Sequence, residues 1–207
     1  DTLGIIMAGN SGLELGEITK NRPIGAVPMG SRYRLVDFVL SNMVNSGIDR
    51  VGIPTQSHYR SLMDHLGSGT AWDLNRKRHG LVILPPYMGA SAEVQGNLDV
   101  LNSIIDYISA SRRRYVIICG SDILYKTTFD DMLEAHKKNS ADITVMYHNM
   151  PDCASLAHHV GLKTDAQGRI VDIEIDPTRA FSSQISTGTY IMERDFLEYH
   201  LNRCLSR

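Results

Sequence analysis

Short apolar runs that alternate with helical patterns constrain the fold of this chain more than any other feature. Six runs are strand candidates, and they cover residues 3–8, 50–53, 81–84, 115–119, 143–147 and 187–192. Continuous apolar strands joined by helices are typical of a parallel sheet that is covered on both faces. The sequence therefore predicts an α/β domain with a mostly parallel central sheet flanked by helices.

Two of the helical patterns are especially clear. One predicts a helix over residues 35–45, closed by Gly47, which suits a left-handed cap. The other predicts a helix over residues 93–109, where apolar residues recur at the three- and four-residue steps that align one buried face. The residues of that predicted face are Val94, Leu98, Leu101, Ile105 and Ile108.

The pattern changes in the C-terminal third. Residues 161–164 and 170–175 are separated by a turn that contains Asp165 and Gly168, which predicts an antiparallel hairpin. Residues 194–205 are predicted to form a last helix. Because no linker or repeat interrupts the 207 residues, we expect one domain over 1–207. The last predicted helix has no cap, so we also expect that the sequence is part of a longer protein.

Composition excludes some function classes. Hydrophobic residues at 43% and charged residues at 21% are typical of a globular protein, and no apolar run is long enough to span a bilayer. A formal net charge of -2 argues against a nucleic-acid partner. The basic clusters 76–78 and 112–114 leave two readings open, solvated loop ends or a binding role. Three widely spaced cysteines and no signal sequence favour the cytoplasm.

A glycine-bearing turn follows the first strand. Gly9 and Gly12 lie there, at the sheet edge where open α/β folds bind ligands, and glycines allow backbone N–H groups to approach phosphate oxygens. A tight turn without a ligand explains the same residues equally well.

A longer motif is more specific. Residues 27–38 read VPMGSRYRLVDF and continue through Ser-Asn at 41–42 and Asn-Ser-Gly-Ile at 45–48. This resembles the signature VPFGGxYRxIDFxLSNxxNSGI of the bacterial glucose-1-phosphate adenylyltransferases (ADP-glucose pyrophosphorylases). Further matches to that family are Thr55-Gln56, Ser61-Leu62 with His65, and Asn97-Leu98-Asp99.

The resemblance implies a Rossmann-like nucleotidyltransferase domain. In that family the domain joins ATP to glucose 1-phosphate and releases pyrophosphate, and it uses Mg²⁺ held by Asp residues, an Arg, and two Lys residues that grip the phosphates. A C-terminal left-handed β-helix domain, which helps to assemble tetramers, follows in the family and is absent from these 207 residues.

The sequence departs from the family at its phosphate-binding residues. Glu14 stands where the family's GGxGxRL segment has the Arg that grips the triphosphate. Ile24 stands where its RAKPAVP segment has a Lys, and Asp176 falls on the Lys that its FxEKP segment offers to the sugar phosphate. Loss of such cations removes charge-assisted hydrogen bonds worth about 1.5–3 kcal/mol each.

Other positions of the family's site are retained in altered surroundings. Asp122 matches the metal-binding Asp of the GDHIY segment, where it is either a Mg²⁺ ligand or a structural cap. Gly89 matches the GTADAV contact loop, whose Asp is missing, and Ser186 and Gly188 match the SMGIY strand. With Gly9 and Gly12, these residues form a predicted vestigial substrate site.

The resemblance thus implies a regulatory subunit for bacterial glycogen biosynthesis. Such a chain is catalytically inactive or nearly so and activates a catalytic adenylyltransferase subunit, as part of a hetero-tetramer of the full-length protein. The alternative is an active sugar-phosphate nucleotidyltransferase with an altered site, in which Lys20 or Arg22 supplies a replacement cation.

Overall fold

The structure, a computed structural model, describes residues 1–9, 15–56, 58–76, 79–85, 96–150, 159–176 and 182–205. Its strands are β1 Thr2–Met7, β2 Pro28–Met29, β3 Tyr33–Arg34, β4 Arg50–Pro54, β5 Gly80–Leu84, β6 Tyr115–Gly120, β7 Ile143–Asn149, β8 Val160–Thr164, β9 Ile170–Ile175 and β10 Gln184–Glu193. Its helices are α1 Leu35–Asn45, α2 Arg60–Leu66, α3 Asn97–Ser103, α4 Ile105–Ser109, α5 Asp130–Asn139 and α6 Arg194–Leu205. The chain divides into two units, Asp1–Thr144 with Ile191–Arg207, and Val145–Tyr190.

The first unit contains the predicted parallel sheet. Its strands lie in the order β5-β4-β1-β6, with Gly4 opposite Val51 on one side and Ile117 on the other. Strand β1 is buried on both faces, which explains why its sequence is continuously apolar rather than alternating. The α/β prediction and the parallel sheet are confirmed.

The core of this unit lies between the sheet and helix α1. Val36, Leu40 and Met43 of α1 are almost fully buried, together with Ile6 of β1 and Ile117 of β6. Helix α1 has the predicted bounds, and Gly47 follows it with a positive φ of 69°. The left-handed backbone at Gly47 allows the N–H groups of Gly47 and Ile48 to donate to the carbonyls of Val44 and Met43. This confirms the predicted cap.

The helix predicted over residues 93–109 is confirmed only in part, because the described residues form two helices instead of one. Residues 93–95 lie outside the described part of the chain, and the remainder forms α3 and α4, which are separated at Ile104. Leu98, expected on the buried face, is 57% exposed. Leu101 and Ile108 are buried as predicted, together with Val100 and Ile104, so the buried face is shifted away from Leu98.

The second unit is antiparallel. Strand β8 pairs with β9 on one side and β10 on the other, and β7 pairs with β10. The antiparallel pairing of β8 with β9 confirms the predicted hairpin. In its turn, the carboxylate of Asp165 accepts hydrogen bonds from the N–H groups of Gln167 and Arg169, and Gly168 has a φ of 78°. No helix in the described residues is long and apolar enough to cross a membrane.

Candidate functional site

The carboxyl ends of β1, β4, β5 and β6 meet at one edge of the parallel sheet, and hydrogen bonds tie these ends together. The N–H and hydroxyl groups of Thr55 both donate to the carbonyl of Leu84, over 2.9 and 3.0 Å. The fully buried Ser121 donates from Oγ to the carbonyl of Met7 over 3.4 Å. This edge is therefore a rigid platform at the position where open α/β sheets bind ligands.

A short 3-10 turn, Ile24–Ala26, lies against this platform. The N–H of Gly25 donates to the carbonyl of Ala8 over 3.3 Å. A Cβ atom at Gly25 would lie only 2.9 Å from Ser121 Oγ and 3.0 Å from Ala8 Cβ. Glycine is needed at this position because the turn approaches the ends of β1 and β6 so closely.

The side chain of Ile24 is buried beside this platform. It is 2% exposed and packs in an apolar cluster with Val27 and Leu35. The structure therefore places the position where the resemblance expects a cation inside a packed apolar environment. A Lys side chain with the same backbone would have to leave this cluster to reach a phosphate group.

Gln56 is a site residue that the sequence analysis missed. A Cβ atom at Gly9 would lie 2.6 Å from Gln56 Oε1, so the amide of Gln56 lies directly over the glycine that follows β1. The sequence reports Gln56 only as part of a matching dipeptide. Its contact with Gly9 depends on the pairing of β1 with β4, which no local pattern contains.

Asp122 follows β6 at the same edge and is partly buried. A Cβ atom at Gly120 would lie 2.6 Å from Asp122 Oδ1, so the carboxylate folds back over Gly120. Among the described residues, no group of three or more His, Cys, Asp or Glu side chains could hold a metal ion. Mg²⁺ is often held by one or two carboxylates and substrate phosphates, so Asp122 fits as a single protein ligand.

The motif that carries the resemblance joins helices α1 and α2. Asp37 accepts a hydrogen bond from the N–H of Arg34 over 2.9 Å, and its other oxygen lies 2.7 Å from His65 Nε2. The guanidinium of Arg34 donates to the carbonyl of Ser61. Arg34 and Asp37 therefore hold α1 on α2 through their contacts with Ser61 and His65.

The same motif fixes the segment that follows β6. The side-chain amide of Asn42 donates to the carbonyl of Tyr125 over 2.9 Å and accepts from the N–H of Thr127 over 3.2 Å. Ser46 Oγ accepts from the N–H of Phe129 over 2.8 Å. The polar residues of the motif are therefore structural supports for the candidate site.

Comparisons with known proteins agree with this architecture. The profile of the family described as "Nucleotidyl transferase" matches residues 3–206. The chain belongs to the nucleotidyl transferase family. A similar solved structure is described as a putative glucose-1-phosphate thymidylyltransferase from Bacillus anthracis in complex with a sucrose. The two sequences are 20% identical, and the structures superpose with a TM-score of 0.74. The match covers 96% of this chain and 74% of the thymidylyltransferase chain. The Rossmann-like nucleotidyltransferase fold is confirmed.

Four further positions were predicted for the site of this nucleotidyl transferase. Glu14, Gly12 and Gly89 fall outside the described residues. Asp176 directly follows β9 in the second unit, is exposed, and has a positive φ of 50°. Its N–H donates to the carbonyl of His159 over 3.0 Å.

Ser186 and Gly188, which match the family's SMGIY strand, lie in β10 within the second unit. Ser186 is buried, and its Oγ accepts a hydrogen bond from the N–H of Gly188 over 3.1 Å. Gly188 has a φ of 67°, a conformation that favours glycine. Both residues therefore have a structural role in this strand.

The basic clusters are largely paired with acids where the structure describes them. Arg113 contacts Asp49 over 2.7 Å, and Arg114 contacts Glu193 over 2.8 Å. Arg76 contacts Asp73. These ion pairs offset the positive charge and favour the reading of solvated loop ends.

Proposed function

We propose that this nucleotidyl transferase domain belongs to a regulatory subunit of bacterial glucose-1-phosphate adenylyltransferase. It is catalytically inactive or nearly so by itself, and it activates a catalytic subunit in glycogen biosynthesis. Such activation requires contacts that differ between two conformations of the catalytic subunit, because a partner that binds both equally shifts nothing.

The observation that carries this proposal is the burial of Ile24. Transfer of a nucleotidyl group develops negative charge on phosphate oxygens, and cations at fixed positions stabilise it. Ile24 lies in an apolar cluster beside the platform where such a cation is expected. Removal of one transition-state donor commonly lowers the rate by about 10²–10³.

Asp122 supports a vestigial metal site. When bound, Mg²⁺ would neutralise phosphate charge at the sheet edge, and Asp122 is the described carboxylate at the end of β6 that would hold it. The carboxylate of Asp122 folded over Gly120 also suits a purely structural role.

An active enzyme is the second candidate, and the retention of Asp122 favours it. In that case Lys20 or Arg22 would supply the missing charge. Lys20 Nζ lies 3.4 Å from Glu17 in an exposed ion pair, which costs little to break. The similar solved structure is described as a thymidylyltransferase, so the nucleotide of an active form is open.

Pyrophosphate release from glucose 1-phosphate with ATP or dTTP tests both candidates. The full-length protein alone, the catalytic adenylyltransferase subunit from the same organism alone, and their mixture are assayed at equal concentrations. We expect near-background turnover by this protein and a several-fold higher rate in the mixture than in the catalytic subunit alone. Robust turnover by the protein alone would support the second candidate, and a merely additive mixture would refute activation.

A further inference from the structure

A close contact between Gly25 and Ser121 fixes the turn Ile24–Ala26 on the carboxyl ends of β1 and β6. All three residues of the turn are buried, and Ser121 is 0% exposed. A Cβ atom at Gly25 would lie 2.9 Å from Ser121 Oγ, closer than real Cβ atoms approach other heavy atoms. Position 25 therefore has no room for a side chain as long as Ser121 is present.

Hydrogen bonds hold both sides of this contact. Ser121 Oγ donates to the carbonyl of Met7 over 3.4 Å, so the hydroxyl group has a partner in the rotamer that touches the turn. The N–H of Gly25 donates to the carbonyl of Ala8 over 3.3 Å, which fastens the turn to the end of β1. Because Gly25 is buried, moving the turn away from the sheet would leave its N–H without a partner. The turn is therefore held at a fixed height above the sheet edge.

The contact also fixes the direction of Ile24. Side chains three residues apart lie on the same side of a 3-10 turn, and successive residues are about 120° apart. Gly25 faces the sheet, so Ile24 lies on another side of the turn, together with Val27, in the apolar cluster that Leu35 completes. The N–H of Val27 donates to the carbonyl of Ile24 over 3.0 Å and maintains this arrangement. A side chain at position 24 cannot turn toward the sheet edge unless Gly25 leaves its contact.

The family segments that this sequence resembles have the opposite sizes at these two positions. RAKPAVP has a Pro where Gly25 stands, and GDHIY has a Gly where Ser121 stands. A Pro at position 25 adds ring atoms and lacks the N–H that bonds to Ala8, whereas a Gly at position 121 removes the hydroxyl group. The two exchanges compensate each other in volume. This chain therefore fastens its turn to the sheet by a different contact.

We propose that Gly25 and Ser121 are positioning residues of the candidate site, which keep the residue at position 24 in the apolar cluster and away from bound phosphate. The inference rests on the proposed function, because it concerns the same lost phosphate site. Stabilisation of phosphate charge requires a cation at a fixed position, and a misdirected ammonium group contributes little. A Lys restored at position 24 therefore gains affinity for a nucleotide only when positions 25 and 121 are changed as well.

Titration calorimetry of the full-length protein with ATP and Mg²⁺ tests this assignment. Ile24→Lys alone should bind ATP no better than the wild type. The triple variant Ile24→Lys/Gly25→Pro/Ser121→Gly should bind at least about tenfold more tightly, as expected for one charge-assisted hydrogen bond. In the matched control, Ser111→Gly takes the place of Ser121→Gly; it changes another buried serine, which precedes β6, and should give no gain. Gly25→Pro/Ser121→Gly without the Lys should also give none.

A mutant cycle in urea unfolding tests the contact itself, even if a Pro variant fails to fold. Gly25→Ala should lower the unfolding midpoint, and its effect should be about halved in the Ser121→Gly background, where only Ala8 still lies close. Equal effects in both backgrounds, an equal gain in ATP affinity by Ile24→Lys alone, or no gain by the triple variant overturns the inference and leaves the proposed function intact. Robust turnover by the wild type refutes the proposed function and this inference together.

Discussion

For a single residue such as Ile24, the burial of the side chain shows the structural consequence of a difference between this sequence and the family pattern that it resembles. Ile24 was selected from the sequence because a resemblance expects a Lys there, and the structure adds that its side chain is 2% exposed beside Val27 and Leu35. No pattern near residue 24 predicts this cluster, because Leu35 reaches it from the start of α1. Ile24 therefore completes a small core at the position where the resemblance expects a cation.

Ile24→Lys should destabilise the protein. A Lys ammonium at this position has to be buried without a partner or has to pull its stem out of the apolar cluster, which costs about 2–4 kcal/mol. Ile24→Leu, which conserves volume, should cost less than about 1.5 kcal/mol. Urea unfolding measures both. A Lys variant as stable as the wild type would mean that the side chain reaches solvent easily, and a test of restored catalysis would then be straightforward.

His136 provides a pH dependence. It is 2% exposed, and Nδ1 lies 2.9 Å from Thr144 Oγ1. Burial lowers the pKa of His136 from its usual value of 6.5, and the acids Glu193 and Asp142 oppose this only partly. Because the unfolded chain takes up the proton more readily, the stabilisation is present above pH 6.5 and is lost as the pH falls toward the lowered pKa.

Unfolding free energies measured at several pH values between 7.5 and 5 check this expectation. The wild type should lose stability faster with acidification than His136→Gln, which keeps a hydrogen-bonding group and cannot titrate. Since the other histidines are common to both proteins, the difference between the two curves isolates His136. Parallel curves would contradict a lowered pKa.

At the scale of elements, local patterns predicted the strands better than the helices. The apolar runs predicted β1, β4 and β6 within one residue at each end, because a strand buried on both faces must be continuously apolar. The segment 93–109 was predicted less well, because its repeat of apolar residues permits more than one helical phase. Packing selected the phase that buries Ile104 and Ile108 and exposes Leu98.

Asp37→Ala should loosen α1 from α2. The carboxylate satisfies the N–H of Arg34 at the start of α1 and also contacts His65 Nε2, so its removal leaves two partners without their bonds. We expect a loss of about 2–3 kcal/mol in unfolding free energy. Asp64→Ala, an exposed acid on α2, is the control and should change stability by less than about 0.5 kcal/mol. Equal effects of the two variants would show that the Asp37 contacts contribute little.

At the scale of the whole molecule, the sequence predicted the fold class and the nucleotidyl transferase family but not the contacts between distant segments at the candidate site. Contacts between Gln56 and Gly9, and between Gly25 and Ser121, join segments that are far apart in the chain. They arise from the order of the strands in the sheet, which local periodicity does not encode. The exposure of Val171, Ile173 and Ile175 on β9 was not predicted for a related reason, since an alternating strand does not reveal whether its apolar residues are covered.

Burial along the chain predicts a graded resistance to local opening. Strands β1 and β6 are paired along their whole length and buried on both faces, so their amides should exchange only through global unfolding. Strand β9 has five exposed residues out of six and pairs on one side only within the described chain, so its amides should exchange through cheap local openings. Native-state hydrogen exchange at low denaturant separates these classes by the denaturant dependence of each amide. Equal opening free energies for Ile5 and Ile173 would show that the protein opens only as one cooperative unit.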